Sequence, residues 1–97
     1  MSSPAIKGSQ VPGGEHSVQA TPTKLANDDT PCKSIFIQSP AANSIAYWGY
    51  DDMTTTSQRR GFLVGGSAVT ITDVCSPSSI YIYGTAGNGL FWTAVRA

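Results

Sequence analysis

The side chains best suited to chemistry in this 97-residue sequence are few: His16, Cys32, Cys75 and the adjacent carboxylates Asp28–Asp29 and Asp51–Asp52. Acid–base or nucleophilic catalysis needs such groups brought together with a base, an orienting partner and a pocket. His16 is the sole histidine and stands beside a stretch rich in glycine and proline, where a solvated imidazole is expected. Both aspartate pairs fall in turn-forming stretches, and aspartate is common there because its carboxylate binds nearby backbone amides. A calcium loop would need further oxygen ligands at spaced positions, and neither pair is followed by them. One histidine and two separated cysteines do not supply a zinc set. No catalytic residue, cofactor site or metal site is expected.

The run GTAGNG, residues 84–89, has the glycine content of a phosphate-binding loop. That motif requires a strand before the glycines and a helix after them. Here the strand-like run LFWTAV follows, so a hairpin turn is expected, in which Asn and Gly tolerate positive φ. Cys32 and Cys75 lack CxxC spacing and the density of a disulfide scaffold. They are expected to be unpaired within the chain, as small buried hydrophobes. A disulfide, within the chain or between subunits, is the alternative.

Charge narrows the partners. Six basic and six acidic residues give a net charge of zero, and charged residues make up 12% of the chain, about half the usual ~25%. Only Arg59 and Arg60 are adjacent among the basic residues, so no basic stripe forms for nucleic acid. Weak self-repulsion favours association. No apolar run approaches the roughly 18 residues of a membrane span, and the start of the chain lacks the apolar stretch of a signal peptide. Synthesis in a cytoplasm is the expectation, with neither nucleic acid nor membrane as partner.

The elements that would position these residues are strands. Residues 1–15 hold prolines and glycines with few large apolar groups, and they are expected to form an N-terminal arm, flexible or ordered on a partner. Residues 16–97 are expected to form a single domain. Short apolar alternations recur between turn clusters: CKSIFIQS, IAYWGY, FLV, SAVTITDV, SSIYIY and GLFWTAV. Between them, DDMTTTSQRRG is expected to be a long exposed loop, and Gly65–Gly66 a tight turn. About eight such strands predict an all-β fold, a small antiparallel β-sandwich or jelly-roll-like barrel. Period-two alternation places Ile35, Ile37, Val69, Ile71, Ile80 and Ile82 in the core.

The same alternation sends large groups outward. Nine aromatic residues (two Trp, four Tyr, three Phe) are more than the inward face of a thin sandwich can take. Phe36, Tyr81, Tyr83 and Phe91 are expected on outer faces. Large apolar groups there mark interaction surfaces. Ile6 and Val11 would add apolar contacts from the arm.

The stretches PCKSIFIQ, AYWG, GFLVGGSAVTI and IYIYG resemble, in order and character, those of a group of small bacteriophage virion structural proteins. The resemblance spans about residues 17–95. It departs at Gly65-Gly66-Ser67-Ala68, where that group often has PGES, and at Trp48 and Trp92, where smaller groups are common. The resemblance implies a non-enzymatic capsid decoration (cement) protein on the virion surface. Such a protein is usually a homo-oligomer; here a homotrimer that bridges subunits of the major capsid protein is expected. A head–tail connector or tail structural protein is one alternative. A carbohydrate- or host-binding module using Trp48 and Tyr50 is another.

Overall fold

A computed structural model of the protein describes residues 12–72 and 76–97. The described residues form eight strands in two four-stranded antiparallel sheets, packed face to face as a sandwich. The strands are β1 (Gly13–Ser17), β2 (Thr23–Lys24), β3 (Cys32–Gln38), β4 (Ala46–Gly49), β5 (Arg59–Leu63), β6 (Ala68–Thr72), β7 (Tyr81–Tyr83) and β8 (Gly89–Arg96). One sheet runs β1-β8-β3-β6 and the other β2-β7-β4-β5. A 3-10 turn, Pro77–Ser79, leads into β7.

The inner faces follow from alternation. In the first sheet His16, Leu90, Trp92, Ala94, Ile35, Ile37 and Ile71 are buried, with Val69 partly buried at the edge. From the second sheet Ala46, Leu63 and Ile82 meet them, joined by Val18, Leu25 and Ile80. The six residues expected in the core are therefore all there, Val69 least deeply.

Three expectations are corrected. The domain begins earlier than residue 16: Gly13, Gly14 and Glu15 already pair with Thr93, Trp92 and Phe91 of β8. Ile6 and Val11 of the expected arm lie outside the described residues, as does Cys75. GTAGNG is not a hairpin turn, because β7 and β8 belong to different sheets. It carries the chain across the sandwich, and its backbone bonds instead to the segment after β1: Gly84 N donates to Gln19 O, Gly87 N to Val18 O and Val18 N to Asn88 O. Gly87 takes φ +94°, where a side chain is strained. Finally, the stretch expected as one exposed loop contains a buried Met53, and its last three residues start β5.

The Gly65–Gly66 turn is a corner linking β5 of one sheet to β6 of the other. A Cβ on Gly65 would lie 2.5 Å from the carbonyl oxygens of both Ala41 and Asn43. Backbone approach that close explains the glycine there.

Candidate protein-interaction surface

Asp28, Asp29, Asp52, His16 and Cys32 are each held by bonds within the scaffold. The Asp28 carboxylate accepts from Thr30 N at 2.9 Å and Thr30 Oγ1 at 2.6 Å. These bonds, the side-chain one foremost, hold its pKa below the usual range. Asp29 accepts from the hydroxyl of Ser78, which ties this turn to the one before β7. Asp52 pairs with Arg60 at 3.0 Å on the surface. His16 is buried rather than solvated as expected, with Nδ1 on the Leu25 carbonyl and Nε2 3.5 Å from Thr23 Oγ1. Cys32 is buried and its thiol donates to Thr30 O at 3.1 Å. Burial, then the nearby Asp28 charge, pushes that thiol up, so it stays protonated. Among the described residues, no cluster of three or more His, Cys, Asp or Glu side chains could hold a metal ion.

The outer face of β1-β8-β3-β6 has the other character. Strand register sets its residues in rows. Glu15, Phe91, Gln38 and Ala68 form one; Gly13, Thr93, Phe36 and Thr70 the next; Val95, Ser34 and Thr72 a third. Phe36, Phe91 and Val95 are 41%, 47% and 56% exposed. They occupy diagonal positions on β3 and β8, within reach of one another for large side chains. Glu15 is the only charged residue in the three rows. The surface is thus a nearly uncharged sheet of phenyl rings, a valine and hydroxyl groups. Of the sequence-predicted contact residues, Phe36 and Phe91 come together here.

Tyr81 and Tyr83 lie on the other sheet, on its outer face, and do not join them. Phe62, Tyr47 and Tyr83 make a row across β5, β4 and β7. Tyr47 stacks on Tyr83 with centroids 5.1 Å apart, and the Arg59 guanidinium sits 4.7 Å over the Tyr47 ring. Tyr83 is only 7% exposed, so its expected availability to another chain is corrected. The cause is the loop between β4 and β5: Thr55 O accepts from the Tyr83 hydroxyl at 2.9 Å. Met53 packs beside Gly49, where a Cβ would come within 2.9 Å of its sulfur. Phe62, at the margin of that cover, remains 62% exposed. Sequence reasoning missed Phe62 and Val95 as surface groups, although the alternations around Leu63 and Ala94 carry that signal.

Tyr81 lines an open cavity of about 320 Å³ with Lys24, Tyr50, Asp51, Ser78 and Ser79. It is part-exposed, between the two faces in character. Trp48 points toward the core and packs over Gly61, leaving no room for a Cβ there. Its ring meets Tyr50 edge-on at 83°. Trp48 and Tyr50 thus form a corner rather than the flat platform on which a sugar stacks.

Comparison with family models, with curated proteins and with solved structures finds no match.

Proposed function

We propose that this protein is a non-enzymatic capsid decoration protein of a bacteriophage, which docks through the outer face of β1-β8-β3-β6 and bridges neighbouring major capsid protein subunits. One observation carries the reading: Phe36, Phe91 and Val95 stand exposed at diagonal positions of a sheet face whose three rows hold a single charge. Burying such a patch contributes on the order of 25 cal/mol per Å² of apolar surface, so each copy can add about a few kcal/mol. Many copies on one shell would then resist outward pressure without any covalent link. The resemblance to small virion proteins supports the same reading.

The test is occupancy of shells prepared without this protein. Full-length chain should saturate them, whereas the Phe36→Ser, Phe91→Ser double variant should not. Electron microscopy of particles carrying labelled chain should place it on the shell. Equal occupancy of the two chains, or label confined to neck or tail, overturns the proposal.

A further inference from the structure

Among the described residues, four strand edges border the sandwich, and three carry features that discourage pairing with another chain. β1 follows Pro12 and contains two glycines and Glu15. β2 has only two residues, one of them Lys24, and follows Pro22. β5 begins with Arg59–Arg60 and meets its neighbour through a register shift. β6 is different. Its five residues, Ala-Val-Thr-Ile-Thr, include no charge, proline or glycine, and its ladder with β3 is unbroken.

Backbone polarity at that edge follows from the bonds of Ser39. Ser39 N donates to Ser67 O at 2.9 Å, and Ser39 O accepts from Gly66 N at 2.8 Å where the turn begins, so Ser39 turns its polar backbone groups toward this strand. Bonded and non-bonded pairs alternate along an antiparallel ladder. Val69 and Ile71 therefore bond to β3, whereas Ala68, Thr70 and Thr72 direct their N–H and C=O groups away from it. Among the described residues, no strand lies on that side.

We infer that β6 pairs with β6 of a second copy, antiparallel about a two-fold axis through Thr70. That register sets Thr70 against Thr70 of the second copy, and Ala68 against Thr72. These are the residues with outward backbone groups, and each such pair exchanges two hydrogen bonds. Val69 then faces Ile71 of the second copy in the closer, non-bonded pairing, on the inner side of the sheet. This accounts for Val69, which is only partly buried although it points toward the core. Thr–Thr and aliphatic cross-strand pairs are favourable, and the register opposes no like charges. A two-fold contact also closes after two chains, so the unprotected edge does not propagate. The product is a continuous eight-stranded sheet whose outer face unites the Phe36–Phe91–Val95 patches of both copies. This pairing stands in place of the homotrimer expected from the sequence, and it does not depend on the proposed docking to a shell.

Light scattering on full-length chain across a dilution series tests it. Wild type should show a mass near twice 10.1 kDa that falls on dilution. Thr70→Lys places two ammonium groups opposite each other only in the pair, and should raise the dissociation constant at least about tenfold. Its far-UV circular dichroism and cooperative melting should persist, because Thr70 is exposed in one chain. An equal mixture of Thr70→Lys and Thr70→Glu should recover the two-chain mass. Thr70→Pro, which removes an outward N–H and no bond to β3, should give single chains as well. Wild type that stays single at every concentration, a three-chain species, or a two-chain species indifferent to both Lys and Pro at position 70 overturns the inference.

Discussion

Nδ1 of His16, on β1, lies 3.1 Å from the carbonyl oxygen of Leu25, just past β2, and so ties the margins of the two sheets together. A carbonyl only accepts, so Nδ1 carries the proton and the neutral ring leaves Nε2 as an acceptor facing the Thr23 hydroxyl. Burial lowers the His16 pKa below 6.5 and outweighs the Leu25 bond, which acts to raise it. The unfolded chain therefore binds the proton more readily than the folded one, and stability rises with pH between the two values. Denaturation midpoints should be highest above pH 6.5 and fall as pH drops below it toward the folded value. His16→Gln should remove that slope. An identical pH profile in both proteins would show that His16 does not titrate with folding.

Ile35 and Ile82 face each other's sheets with no exposed surface. Truncating either to alanine should cost about 2–5 kcal/mol in chemical denaturation, from lost transfer energy plus the cavity left behind. Phe36→Ser, on the opposite side of β3, should stay within about 0.5 kcal/mol of wild type. Comparable losses for Phe36→Ser and Ile35→Ala would mean that the Phe36 face is already covered in the free protein.

The register that separates these two outcomes was legible in the sequence because alternation is local: CKSIFIQ shows its faces without reference to anything else. Ile80 and Ile82 against Tyr81 and Tyr83 show theirs equally well. What covers an outward face is not local. Tyr83 points outward as its spacing says, yet a carbonyl 28 residues earlier caps its hydroxyl. Met53 is a single apolar residue in a polar run and carries no period. The sheet assignment of β7 and β8 depends on partners far along the chain, so a glycine-rich connection between sheets looks in sequence like a hairpin. His16 bonds to the carbonyl of Leu25, nine residues on, a partner the local pattern around His16 does not announce.

Gly65→Ala should destabilise the chain although alanine is the smallest change available. Its Cβ would meet two backbone oxygens, from Ala41 and Asn43, and neither can swing aside as a side-chain end could. Overpacking of this kind costs about 1–3 kcal/mol. Gly89→Ala has open space around its Cβ and serves as the control. Equal melting temperatures for the two variants would show that the corner between β5 and β6 yields freely.

The loop joining β4 to β5 should loosen as a unit when its tie to β7 is cut. Tyr83→Phe keeps the ring on Tyr47 and removes only the bond to Thr55 O, worth about 1 kcal/mol. The loop is otherwise held by Thr54 Oγ1, which accepts from the amides of Thr56 and Ser57, and by the pair of Asp52 with Arg60 of β5. None of these reaches β7, so the Tyr83 hydroxyl is the polar tie to that strand, while Met53 packs beside Gly49 of β4. Amide exchange over residues 51–58 should therefore accelerate in Tyr83→Phe by about fivefold, the equivalent of that single bond, while β3 and β8 keep wild-type protection. Phe62→Ser, in the same aromatic row but largely exposed, should leave the loop unchanged. Unaltered exchange in Tyr83→Phe would assign the cover of this sheet to Met53 alone.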